Sequence, residues 1–134
     1  MINAIRFASI KGGPSLSIEQ KSQIYYGMGM ESMEQADFVT AIKHFEKSLE
    51  LMKRSITAAR LYECLARLNR HQEARKYIEM AFMLNTSSDV IATQYANVLI
   101  QSNETKKARI MLQNVLQRNA SFQPARKLLD SLPE

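Results

Sequence analysis

Phe38-Val39-Thr40-Ala41-Ile42-Lys43-His44-Phe45-Glu46-Lys47-Ser48-Leu49-Glu50-Leu51 reads as one amphipathic helix. Ala41, Phe45, Ser48 and Leu49 fall at i, i+4, i+7 and i+8, a single face at a period of about 3.6 residues. Lys43, Glu46, Lys47 and Glu50 fill the rest of the helix surface. The pattern returns twice downstream, as Ala74, Ile78 and Ala81 and then as Ala108, Leu112 and Val115. The alanines that open the three sets, Ala41, Ala74 and Ala108, follow one another at an almost constant interval. Packing supplies the reason: two short helices approach closely only where side chains are small, and a large residue one turn on fills the gap to the next pair.

Working outward, each of these helices has a partner before it. Ser17-Ile18-Glu19-Gln20 has capping-box spacing and starts a helix running to about Glu34. Gln35-Ala36-Asp37 is a turn, and Asp37 caps the helix quoted above, which ends near Lys53. Helices are expected over about Ser55–Leu68, Gln72–Asn85, Asp89–Gln101 and Thr105–Arg118. Asn69-Arg70-His71, Thr86-Ser87-Ser88-Asp89, Ser102-Asn103-Glu104 and Asn119-Ala120-Ser121 form the turns between them. A last amphipathic helix, Phe122 to Leu132, carries Phe122, Ala125, Leu128, Leu129 and Leu132 in a stripe, with Pro124 in its first turn. Residues 1–16 form a separate arm, broken at Lys11-Gly12-Gly13-Pro14-Ser15, and residues 17–134 form one domain.

The first helices repeat too. Tyr25-x-x-Met28-Gly29-x-x-Ser32 is echoed by Ala58-x-x-Leu61-Tyr62-x-x-Leu65 and by Ala92-x-x-Tyr95-Ala96-x-x-Leu99. This resembles the tetratricopeptide repeat (TPR), with its pattern W-x2-L-G-x2-Y…A-x3-F…P over about 34 residues. The likeness covers about residues 22–121, as repeats of about 22–54, 55–88 and 89–121, with 122–132 resembling the capping helix of such arrays. Tyr25-x-x-Met28-Gly29…Ala41-x-x-x-Phe45 is its most specific copy. No copy has the Trp, and Lys53, Thr86 and Ala120 stand where the closing Pro would be.

The resemblance implies an all-α fold, a right-handed superhelix of antiparallel helix pairs whose concave face is lined by the first helix of each pair. It also implies a function without catalysis: an adaptor, scaffold or assembly factor that holds a peptide segment of another protein in the groove. The groove-facing positions are expected at Tyr26, Met30 and Met33 in the first repeat, at Ala59, Arg60, Glu63 and Arg67 in the second, and at Thr93, Asn97, Ile100 and Gln101 in the third. Tyr26 and the methionines suit an apolar anchor, Arg60 and Arg67 a carboxylate, and Asn97 an extended peptide backbone. Some family members bind chaperone tails through a Lys and Asn clamp on the first repeat; Tyr26 and Met30 occupy that face here, which argues for a different ligand.

Composition narrows the alternatives. The single cysteine, Cys64, excludes an intramolecular disulfide and any multi-cysteine metal site, and fits a reducing, cytoplasmic setting. No run approaches the roughly 18 apolar residues of a membrane span, and Met1 to Ile10 does not read as a secretory signal. Gly12-Gly13 and Gly27-Met28-Gly29 lack the context of a nucleotide loop, and His44 and His71 have no metal-ligand spacing. No cofactor, metal or catalytic residue is expected. Asn85-Thr86-Ser87, Asn103-Glu104-Thr105 and Asn119-Ala120-Ser121 match the glycosylation sequon but fall at turns, where these residues serve as caps. Net charge is +5, concentrated in residues 54–134, which hold twelve Lys and Arg against seven Asp and Glu. An RNA-binding helical repeat is therefore one alternative, made less attractive by Glu63 and the methionines in the groove. Self-association through Ile18, Tyr25 or the arm residues Ile5, Phe7 and Ile10, as a homodimer, is another.

Overall fold

The structure, a computed structural model, describes residues 15–133. Among them it has seven helices: α1 Ile18–Glu34, α2 Phe38–Leu51, α3 Ser55–Arg67, α4 His71–Leu84, α5 Asp89–Gln101, α6 Thr105–Arg118 and α7 Gln123–Asp130. Every expected helix is present; α5 and α6 have the expected ends, and the other ends differ by at most two residues. The glycine-rich break and the apolar residues Ile5, Phe7 and Ile10 lie outside the described residues.

Local chemistry explains the helix starts. At α1 both arms of the capping box form: Ser17 Oγ accepts from the Gln20 amide at 3.1 Å, and Gln20 Oε1 accepts from the Ser17 amide at 2.8 Å. Asp37 accepts from the Thr40 amide at 3.2 Å, and Ser88 Oγ from the Ile91 amide at 3.2 Å. Pro124 sits in the first turn of α7, where its missing N–H costs no bond. The last amides of α3 curl tightly, so the helix stops at Arg67 rather than Leu68, and His71 joins α4.

One device ends α1, α3 and α5 alike. Ala36, Asn69 and Asn103 have positive φ, at 58°, 60° and 63°. The amide beyond each bonds back to a carbonyl in the last turns of its helix: Asp37 to Ser32, Arg70 to Leu65, Glu104 to Leu99. These are Schellman closures, in which a left-handed residue lets the chain reverse while the last carbonyls stay satisfied. They recur at the same interval as Ala41, Ala74 and Ala108, each closure lying five positions before its alanine. Asn tolerates the left-handed region; Ala36 does not, and carries strain of about 1–2 kcal/mol.

The chain divides into two compact units, Met1–Tyr77 and Ile78–Glu134, with the boundary inside α4. In an array each repeat touches only its neighbours, so contacts partition readily even where a helix is continuous. In the first unit α2 packs against both α1 and α3. The expected inner face of α2, Ala41, Phe45, Ser48 and Leu49, is buried, with Ile42 beside it. Against α1 the helices come close at two small residues. Ser22 and Ser48 exchange side-chain-to-carbonyl bonds of 2.9 and 2.7 Å. Gly29 lies against the Phe45 ring, so near that a Cβ there would meet ring carbons at 2.6 to 2.8 Å. Of the expected packing residues of α1 only Gly29 is fully buried; Tyr25, Met28 and Ser32 are half-buried. Thr57, Ala58, Leu61, Cys64 and Leu65 bury the core side of α3.

In the second unit Ala92, Ala96 and Leu99 of α5, Ala108, Leu112, Val115 and Leu116 of α6, and Ala125 of α7 form one core. Phe122, Leu128, Leu129 and Leu132 cover it from the C-terminal side, as the stripe predicts. Each fully buried Leu, Val or Phe contributes about 1.5–3 kcal/mol. Arg118 Nε donates to Asp89 Oδ1 at 2.7 Å and Asn119 Nδ2 to Asp89 Oδ2 at 3.1 Å, tying α6's end to α5's start. Asn85 Oδ1 accepts from the Ser87 amide and hydroxyl, so this sequon asparagine, like Asn119, has a turn-closing role.

Candidate functional site

Two rows of expected groove residues lie in the first unit. Tyr26, Met30 and Met33 are at i, i+4 and i+7 on α1; Arg60, Glu63 and Arg67 are at i, i+3 and i+7 on α3. Each row therefore lies along one helix face. The rows meet at Arg60, whose Nε donates to the Tyr26 hydroxyl at 3.3 Å. The Tyr26 ring is braced from behind by Phe45, with centroids 5.6 Å apart and planes at 57°, a tilted aromatic pair. The glycine-enabled contact of α1 with α2 thus fixes the ring whose hydroxyl receives Arg60.

Glu63 holds the other side of the guanidinium: Arg60 Nη1 donates to its Oε2 at 3.1 Å and Oε1 at 3.4 Å. Both side chains are less than a third exposed, at 29% and 27%. The Arg60 pKa is raised: burial, the largest influence, lowers it, and the hydrogen bonds that Arg60 donates to Tyr26 and Glu63, with the Glu63 charge, outweigh that loss. A partly exposed pair one turn apart contributes at most about 1 kcal/mol to stability, so its main effect is orientation. A second link to α1, from Arg54 just before α3 to Glu19 at 3.4 Å, is more exposed.

Two turns beyond Arg60, Arg67 lies with its guanidinium 5.0 Å from the centroid of the Phe38 ring. A cation over an aromatic face is held without losing its charge. Among the described residues no carboxylate pairs with Arg67. Met30 and Met33 are half-buried, presenting flexible thioether chains along α1. The patch thus offers an apolar surface, a phenol already engaged, a compensated Arg–Glu pair and one cation seated on a ring. Cys64, beneath it on α3, is fully buried, and burial first, then the Glu63 charge, push its thiol up to about 11. At that pKa it is not a nucleophile at neutral pH.

The remaining expected positions fall elsewhere. Ala59 is 3% exposed and Thr93 7%, so both belong to the core rather than to a ligand-facing surface. Helices with neighbours on two sides bury more than the single stripe that periodicity assigns. Asn97, half-buried, and Gln101, exposed, lie on α5 in the second unit, and Ile100 there packs against that unit's core. Phe38, the seat of Arg67, is a residue of this patch that sequence reasoning missed. Its signal was present: an aromatic directly after the Asp37 cap, off the buried face of α2. Among the described residues no group of three or more His, Cys, Asp or Glu is placed to hold a metal ion, and no helix is long and apolar enough to cross a membrane. His44 stacks on Tyr25 at 6.5 Å.

No protein-family model and no curated protein sequence matches the chain. Solved structures do. The first TPR domain of Spaghetti (RPAP3), bound to the HSP90 peptide SRMEEVD, superposes with a TM-score of 0.76 at 17% identity, over 84% of this chain and 90% of that one. The TPR domain of Arabidopsis OM64 gives 0.76 at 10% identity, over 85% and 95%. YrrB, described as a TPR protein with an unusual peptide-binding site, gives 0.70 at 22% identity, over 78% and 54%. With helix pairs closed by the same left-handed turn at Ala36, Asn69 and Asn103, and with these superpositions, the chain has the tetratricopeptide-repeat fold.

Proposed function

We propose that this protein is a non-enzymatic protein-interaction module that holds a peptide segment of a partner along α1 and α3, at Tyr26, Met30, Met33, Arg60, Glu63 and Arg67. The observation that carries the reading is the joining of the two rows through the Arg60–Tyr26 bond, which sets an apolar strip beside a cation that has no carboxylate partner among the described residues. A peptide with an apolar side chain for the methionines and a carboxylate for Arg67 satisfies both. Neighbours in fold support the mode: the Spaghetti domain is bound to SRMEEVD, and the second TPR domain of human RPAP3 is in complex with the HSP70 peptide SGPTIEEVD. The RNA-binding alternative gains no comparable support, because Glu63 lies in the same row as the two arginines.

The test is selection of a displayed random decapeptide library on the full chain. Enriched peptides are expected to carry an apolar residue and a carboxylate, and to lose binding to Met33→Lys and to Arg67→Glu by about tenfold or more. Enriched peptides that bind both variants as well as the wild type would overturn the assignment.

A further inference from the structure

We infer that Glu63 is a charge filter: by occupying Arg60 from within the chain it leaves the patch a single cation to offer, Arg67, so the site accepts segments with one carboxylate beside an apolar anchor and rejects segments with adjacent carboxylates. The inference rests on the peptide-binding reading above and specifies the partner's chemistry.

Arginine has no acceptor and five N–H donors in a planar fork. Two of the three nitrogens of Arg60 are engaged, Nε by Tyr26 and Nη1 by both oxygens of Glu63. A ligand carboxylate arriving at Arg60 would have to displace Glu63 or share the guanidinium with it. Displacement exchanges one carboxylate for another with no gain. Sharing places two carboxylates at one site that is less than a third exposed on both side chains, where like charges are weakly screened. Arg67 differs on each count. It is exposed, its contact is with a neutral ring, and no carboxylate among the described residues neutralises it. Arg60 and Arg67 are two turns apart on one helix, roughly 10 Å at about 1.5 Å per residue, a distance that two acidic side chains of one segment span easily. Without Glu63 the row would be a double cation suited to paired acids. With it, the row discriminates by a repulsive element as well as an attractive one.

The experiment uses the full chain and the peptides enriched on it. One enriched peptide with a single carboxylate is compared with a derivative in which a second Glu is placed next to the first. The wild type is expected to bind the doubly acidic derivative about tenfold more weakly or worse, and Glu63→Gln to abolish that difference between the two peptides. A second variant works in the opposite direction and does not depend on Glu63→Gln folding well: Arg60→Gln leaves Glu63 in place, so library selection on it should enrich Lys and Arg next to the anchor. Equal binding of the two peptides by the wild type, or the same preference in Glu63→Gln, overturns the filter while leaving the site intact. Indifference of the singly acidic peptide to Arg67→Glu overturns the site itself, and the filter with it.

Discussion

Gly29→Ala probes the contact on which both fold and site depend. In a free helix the change stabilises by about 1 kcal/mol, because Ala is the best helix former and Gly among the worst. Here the new Cβ would meet three Phe45 ring carbons at 2.6, 2.7 and 2.8 Å, against an ordinary contact of 3.4 Å or more. The ring must therefore retreat by about 0.6–0.8 Å, and it is 0% exposed, with Tyr26 packed on it. Overpacking of this kind costs about 1–3 kcal/mol. Set against the propensity gain, the expected net loss is about 0–2 kcal/mol in urea unfolding. The decisive assay is a double-mutant cycle with Phe45→Leu. Phe45→Leu alone opens space and destabilises; in that background Gly29→Ala should become stabilising, giving a favourable coupling of about 1–3 kcal/mol. Additivity of the two changes, or stabilisation by Gly29→Ala in the wild-type background, would refute the reasoning. Displacement of the ring should also disturb Tyr26 and weaken peptide binding more than stability.

Other consequences are as direct. Ala36→Asn gives the first turn the residue that the chain uses at its two counterparts, Asn69 and Asn103, and should raise unfolding stability by up to about 1 kcal/mol, whereas Ala36→Val should lower it. Ser48→Ala removes the bond its hydroxyl donates to the Ser22 carbonyl in a fully buried site, keeps the bond from the Ser22 hydroxyl to the carbonyl of residue 48, and should cost about 0.5–1.5 kcal/mol by denaturant titration. The Asp89 pKa is lowered by hydrogen bonds from Arg118 and Asn119, as that of Asp37 is by Thr40. Depressed carboxyls contribute stability that is present above the ordinary range near pH 4 and is lost as pH falls through the folded value, so the melting temperature should drop between about pH 5 and pH 2. Asp89→Asn should be less stable than the wild type at pH 7, with the gap closing by about pH 2.

The alanine spacing and the pair Gly29 and Phe45 made the fold readable, because close packing of short helices demands small residues at a fixed register and nothing else explains three copies of it. The caps at Ser17 and Asp37 were readable for the same reason, that only short oxygen-bearing side chains reach the first amides. The rows proposed as the site were legible as helix faces: Tyr26, Met30 and Met33 lie along one face of α1, and Arg60, Glu63 and Arg67 along one face of α3, as periodicity places them. What periodicity alone cannot give is how wide the buried arc of each helix is, which is why Ala59 and Thr93 went to the core. Nor does it give pairings between helices. Arg60 with Tyr26 and Arg67 with Phe38 are distant in sequence and meet only through tertiary packing. The left-handed Ala36 carries no signal in its residue type; its register with Asn69 and Asn103 does.

The proposed peptide-binding patch is tested most directly by the methyl spectrum of the full chain labelled at its methionines, titrated with an enriched peptide. Met30 and Met33 lie in the patch, and Met83, 78% exposed in the second unit, is an internal control. Saturable shifts of the Met30 and Met33 methyls with an unmoved Met83 are the expected result. Shifts at Met83 with Met30 and Met33 unchanged would place the ligand elsewhere and contradict the assignment.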